Sequence, residues 1–246
     1  MKDECTAMNT NDVMRTVAGT WPPVSATMLG DWLIRKGGDG GKRVSSASYL
    51  GEGCPDDAGI ARAEAAMRKL NQPPLFQILS GQTALDDRLA TMGYDIADPV
   101  DLYAAPIDRV AAAAPPSPTA QRIWPSLAIM REIWAQGGIG PGRLAVMDRA
   151  PGPKTAIFER VGMKPAGACF VGIHDRIAMI HALEVLPAQR GNGAARHMMG
   201  TATAWAQENG ATHLSVVVTG ENTPAKALYT SLEMQLVGHY HYREGA

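Results

Sequence analysis

"IHALEVLPAQRGNGAARHMMGTATAWAQEN", residues 180–209, passes from an apolar strand to a helix through a glycine-rich turn. The run over 177–186 reads as the strand, and Met198, Ala202 and Trp205, spaced i, i+4, i+7, give the helix over 194–209. A strand that ends this way leaves the first N–H groups of the helix unpaired and pointing in one direction, with the positive end of the helix dipole behind them. That is a cradle for an anion. Gly191 and Gly193 accept the positive φ that turns amides inward and leave no side chain to hold a phosphate off. Arg190 and Arg196 add charge. The same glycines would also serve a tight turn with no ligand, so the surrounding pattern decides.

After the helix comes a β-branched strand over 213–218. Thr223 is then a good N-cap and Pro224 a good first helical residue, and Ala225, Leu228 and Leu232 share one face of the short helix that follows. A last strand over 235–244 ends the run. In the N-terminal half, Ile60, Ala63 and Met67 mark a helix over 56–70, followed by a strand over 75–80, a short helix over 83–94 and a strand over 99–106. The order helix, strand, short helix, strand thus occurs twice, about 140 residues apart, which points to a duplication. Between the halves, "RVAAAAPPSPTAQ" (109–121) carries Pro115, Pro116 and Pro118, which forbid a helix or central strand there and mark a linker. The expected domains are 1–110 and 122–246, joined by a Pro/Ala-rich linker over 111–121.

Composition narrows the function. With 246 residues, 46% of them hydrophobic, the chain can bury one large core or two smaller ones. Lys and Arg total 23 against 24 for Asp and Glu, leaving no basic excess to hold nucleic acid or an anionic membrane. No uncharged apolar run is long enough to span a bilayer, and the N-terminus lacks the apolar core of a signal peptide, so the expected location is cytoplasmic. Cys5, Cys54 and Cys169 follow no metal or redox spacing and read as packed thiols. His239 and His241 share a strand face, but with no third ligand they read as strand surface, and no metal is expected. "KGGDGGKR" (36–43) fails the Walker pattern at Lys36 and Arg43 and reads as a hairpin turn. The spacing of Gly191, Gly193 and Ala194 is not that of a dinucleotide fingerprint.

"LEVLPAQRGNGAARHMM" (183–199) followed by "LSVVVTGENTPAKALYTSLEM" (214–234) closely resembles the acyl-CoA-binding core of the GNAT superfamily of N-acetyltransferases. The family's R/Q-x-x-G-x-G/A loop is met by Arg190, Gly193 and Ala195, and its N-x-x-A-x-x-x-Y pattern by Asn222, Ala225 and Tyr229. Glu233-Met234 replaces the usual Gly-Phe. The resemblance implies an α/β (α+β) fold of two GNAT-like domains, each a mixed central β-sheet flanked by helices, with "GRLAVMDR" (142–149), "KTAIFERV" (154–161) and "PAGACFVGIHDRIAMI" (165–180) as the opening antiparallel strands. It implies direct transfer of an acetyl group from acetyl-CoA to a primary amine on a small molecule or peptide. Cofactor contacts would come from Leu183 and Val185, from the loop residues Arg190, Gly191, Asn192, Gly193, Ala194 and Ala195, and from Asn222. Tyr229 would protonate the departing thiolate. Asn222 would equally be a good residue just before the N-cap and nothing more.

A lysine-like amine ionises near ~10.4, so a base must remove its proton. Glu184 is the first candidate, on the motif strand beside the expected thioester. His181 is expected on the other face by strand alternation, so that only one of the two meets substrate. The N-terminal half looks like a degenerate copy. Its loop, "YLGEGCPDDAG" (49–59), holds Glu52, Asp56 and Asp57 with no basic residue between Arg43 and Arg62, and Leu89 stands where Tyr229 would. A CoA-binding sensor or partner-binding module without turnover, or an enzyme using a different acyl-CoA, remain alternatives.

Overall fold

The computed structural model describes residues 8–245, so Cys5 lies outside the described residues. Along the chain run α1 (Thr10–Thr20), β1 (Ser25–Leu29), β2 (Trp32–Lys36), α2 (Lys42–Ser45), β3 (Ala47–Tyr49), α3 (Asp57–Lys69), β4 (Leu75–Leu79), α4 (Thr83–Thr91) and β5 (Asp95–Pro106). Then follow α5 (Ile107–Ala113), β6 (Ala120–Ile123), α6 (Ala128–Gln136), α7 (Pro141–Arg149), β7 (Lys154–Val161), β8 (Lys164–His174) and β9 (Ile177–Val185). After β9 come α8 (Ala194–Glu208), β10 (His213–Thr219), α9 (Thr223–Ser231) and β11 (Gln235–Glu244).

Two compact units emerge, and neither is a contiguous half. Among the described residues the first contains 8–20, 102–139 and 150–238, and the second contains 21–101, 140–149 and 239–245. Each half lends its last strand and a helix to the other unit. In the first unit the strands run β6-β7-β8-β9-β10, with residues 102–106 of β5 beside β10. Pairing is antiparallel from β6 to β9, and β9 and β10 are parallel. In the second unit β1-β2-β3-β4 repeat that pattern, antiparallel and then parallel, and residues 240–244 of β11 close the edge antiparallel to β4. The duplicated order is thus visible in strand pairing, and α4 and α9 have the same length, 9 residues. The contiguous division at 110 and 122 is not the division of the packed units.

Each unit has its own core. In the first unit Ile157, Cys169, Val171 and Ile180 pack against Met198 and Ala202 of α8, with Trp205 partly buried against them, the helical face read from the sequence. In the second, Trp32, Phe76 and Ile78 pack against Ile60, Ala63 and Met67 of α3.

Four local expectations are corrected. "GRLAVMDR" is helix α7, not a strand. Pro141 begins it with a φ already suited to a helix, and its buried pair is adjacent, Val146 and Met147, not alternating. "KGGDGGKR" joins β2 to the one-turn helix α2 and is not a hairpin turn. Within 109–121, α5 continues to Ala113, because the four alanines precede the prolines and nothing there stops a helix. Of the cysteines described, Cys169 is buried, but Cys54 is exposed rather than packed. Among the described residues no helix is long and apolar enough to cross a membrane.

Candidate active site

The site begins where β9 leaves its partner. β9 pairs with β10 from Ile177 to Ile180 and no further, so the two parallel strands separate. On its other side β9 pairs with β8, but the register slips: Phe170 faces His181, whereas Ala168 faces Glu184. The extra residue on β9 is a bulge, and Ala182 takes a φ of 51° within it. A left-handed alanine costs roughly 1–2 kcal/mol. The indole N–H of Trp134, from α6, donates to the Ala182 carbonyl at 2.8 Å and helps hold the turn.

The bulge corrects the alternation argument. Residues 168 and 170 share a face of β8, so their partners Glu184 and His181 share a face of β9, three residues apart in sequence. His181 is nonetheless withdrawn from the cleft. It is buried, and its Nε2 lies 2.8 Å from the Thr20 hydroxyl of α1.

Beyond β9, Gly191 and Gly193 take φ of 77° and 78°, and Gly193 is the N-cap of α8 with no side chain capping it. The first amides of α8 are therefore left open. The counterpart in the second unit is closed, since the Asp56 carboxylate caps α3 and accepts from the Gly59 amide at 2.7 Å. There a side chain already occupies the place a phosphate would take.

A cleft of about 630 Å³ opens between the end of β9, this loop and α9. Leu183, Glu184, Val185, Arg190, Gly191, Gly193, Ala194, Ala195, Asn222 and Tyr229, all expected from the sequence, line it. Asn192 does not. Its amide folds back on the carbonyls of Gln189 and Arg190, each at 3.3 Å. Asn222 lines the cleft and is itself the N-cap of α9, the place expected of Thr223, accepting from the Ala225 amide at 3.1 Å. The wall further includes Gln189, Pro224 and Leu228, which had no assigned contact in the sequence, and Arg196, expected to add charge to the cradle. Arg196 is committed elsewhere, donating to the Ala113 carbonyl at 2.9 Å and to the Ser231 hydroxyl at 2.6 Å.

Two titratable groups matter in the cleft. Burial raises the Glu184 carboxyl above its ordinary value, with Arg190, 3.8 Å away, pulling the other way. Burial, with the Cys169 thiol nearby, pushes the Tyr229 phenol well above its ordinary range, so at neutral pH it holds its proton. Sequence reasoning missed Gly137, at the end of α6. A Cβ there would lie 2.5 Å from the Glu184 carboxyl carbon, and no periodic signal links residues so far apart. Among the described residues no group of three His, Cys, Asp or Glu side chains could hold a metal ion. His241 instead contacts Asp86 at 2.8 Å.

Residues 131–234 match the model of the acetyltransferase (GNAT) family. Over 241 residues the chain is 25% identical to the uncharacterized N-acetyltransferase YobR of Bacillus subtilis, covering 94% of this chain and 96% of that protein. Its fold is similar to a GCN5-related N-acetyltransferase from Kribbella flavida, with a TM-score of 0.71 at 18% identity over 97% of this chain and 96% of the other. It is also similar to a tandem GNAT protein from the clavulanic acid biosynthesis pathway, with a TM-score of 0.60 at 13% identity over 94% and 86% of the two chains.

Proposed function

We propose, from the GNAT acetyltransferase domain that this chain carries over residues 131–234, that the cleft of the first unit transfers an acetyl group from acetyl-CoA directly to a primary amine. The observation that carries this reading is the uncapped N-terminus of α8 opening into the same cleft as Glu184 and Tyr229. The amides of the loop and the Arg190 guanidinium would hold the pyrophosphate. Past Ile180, β9 has no β10 partner, so backbone groups of Leu183 and Val185 are available to the pantetheine arm in the manner of an added strand.

Glu184 removes a proton from the incoming ammonium, directly or through water, and the neutral amine attacks the thioester carbonyl. The C–N bond forms, the C–S bond breaks, the Tyr229 phenol gives its proton to the departing thiolate, and the proton that the nitrogen sheds on becoming an amide returns to the phenolate through water. The product is an amide and free CoA. The second unit serves as a structural or substrate-shaping partner, because Asp56 fills its cradle and Leu89, fully buried, replaces the tyrosine. In this respect the chain would follow the tandem GNAT arrangement named for its structural relative.

The test is an amine screen with acetyl-CoA, monitored by release of free thiol, on the full chain and on Tyr229→Phe. Amine-dependent thiol release that Tyr229→Phe suppresses supports the reading. CoA binding without turnover across small amines and peptides would favour the sensor alternative.

A further inference from the structure

The second unit carries a groove that the transfer chemistry leaves unused. It holds about 340 Å³ and is lined from the β1–β2 turn, the end of β3 and the start of α3. That volume stands at the small end of ligand sites, which run from roughly 300 to 1,000 Å³. Gly30 and Asp31 form the two-residue turn between β1 and β2, and the Asp31 carbonyl accepts from the Leu50 amide at 2.8 Å, which ties the turn to the end of β3. A Cβ on Gly51 would lie 2.5 Å from the Tyr49 hydroxyl oxygen and 2.9 Å from Asp31 Oδ2, so the two oxygens border one small space. The Tyr49 hydroxyl donates to the Glu52 carbonyl at 3.5 Å, leaving its oxygen to accept.

Arg62 lines the same groove from α3, its Nη2 3.6 Å from where a Cβ on Gly59 would stand. The carboxylates at the start of that helix are already taken: Asp56 caps it through the Gly59 amide, and Asp57 accepts from Arg88 at 2.7 Å. Among the described residues the side chains of Asp31 and Arg62 have neither a hydrogen bond nor an ion pair, with each other or with anything else. Trp32 and Tyr49, paired across β2 and β3 with ring centroids 5.2 Å apart, add aromatic wall, and Leu29 and Pro55 add aliphatic wall. Two uncommitted charges of opposite sign on one small groove are complemented by a ligand that carries both signs. An ammonium fits the Asp31 and Tyr49 oxygens, and a carboxylate fits the Arg62 fork. Phosphate does not fit, because Asp31 and Asp56 both face it with negative charge. We propose that this groove binds a small zwitterion, an amino acid or a dipeptide, with its ammonium at Asp31 and Tyr49 and its carboxylate at Arg62. Every residue involved belongs to the second unit, so the site does not depend on the acyl-CoA reading of the first.

The experiment is calorimetric titration of the full chain with each of the twenty common amino acids and with dialanine, which separates the two sources of the zwitterion. Cys54 is exposed and lines the groove, so it reports locally. Its alkylation by iodoacetamide, read by mass spectrometry of the peptide that contains it, should slow several-fold at saturating ligand. For the tightest binder, the matched amine without the carboxylate and the matched acid without the ammonium should each bind about tenfold more weakly or worse. Asp31→Asn and Arg62→Ala alter exposed side chains and should each weaken Kd about tenfold, the scale of one charge-assisted hydrogen bond. No binding by any member of the panel overturns the inference. So does binding that leaves Cys54 unprotected or persists at wild-type affinity in either variant, since the ligand then sits elsewhere, for example as an amine in the cleft of the first unit. Protection of Cys54 by inorganic phosphate in place of the zwitterions would show an anion site and overturn it as well.

Discussion

Gly137 and Glu184, from α6 and β9, stand so close that a methyl group on Gly137 would lie 2.5 Å from the Glu184 carboxyl carbon and from one of its oxygens. The backbone of Gly137 tolerates a side chain, with φ of −83°, so only the carboxylate requires glycine there. Gly137→Ala should displace the Glu184 side chain, leave acetyl-CoA affinity within about twofold, and lower kcat by about tenfold or more. Steady-state kinetics beside a direct binding titration would read this split. Unchanged kcat would show that the position of Glu184 is immaterial.

Glu184→Gln removes the base while keeping the shape. Burial raises this carboxyl, so its working, ionised form is lost as pH falls through a value above the ordinary carboxylate range. The wild-type kcat should therefore climb with pH along that limb, and the variant should lose the limb along with roughly 10²- to 10³-fold in rate. A pH profile that keeps its acid limb in Glu184→Gln would place the base elsewhere.

Tyr229→Phe keeps the ring, which packs 5.9 Å from that of Tyr103, and removes only the hydroxyl. Turnover should fall by about 10²-fold or somewhat more with acetyl-CoA affinity nearly constant. A loss confined to affinity would make Tyr229 a binding residue.

The loop was legible in the sequence because its information is local. Two glycines at positive φ, an arginine and an uncapped helix start lie within a few consecutive residues, and the chain presents them where the spacing implied. The placement of His181 was not legible, because one extra residue at Ala182 reverses the parity of everything after it and alanine gives no warning of a positive φ. The contacts of Glu184 with Gly137 and of Glu159 with His197 join residues 47 and 38 apart, beyond any periodic signal. The exchange of strands between the halves was also hidden. A strand's pattern states which face it buries and says nothing of which edge it joins.

That exchange has a consequence for truncation. Removing residues 239–246 strips β4 of its antiparallel neighbour and removes the buried Tyr240 and Tyr242. It also removes the bonds of His241 and Arg243 to Asp86, at 2.8 and 2.6 Å. Losses of several kcal/mol per buried aromatic approach the whole stability of a domain. The truncated chain should show early proteolysis within residues 21–101, even though the deletion lies at the other end of the sequence. Resistance equal to the full chain would contradict the exchanged strand.

The central claim is that acyl-CoA binds once per chain, on the open end of α8. Calorimetric titration of the full chain with acetyl-CoA tests it most directly, alongside Gly193→Val, whose β-branched side chain is strained at φ of 78°. The expected result is one site per chain, weakened about tenfold or more in a folded Gly193→Val protein and unchanged by Arg62→Ala at α3 of the second unit. Two sites per chain, or wild-type affinity in Gly193→Val, would contradict it.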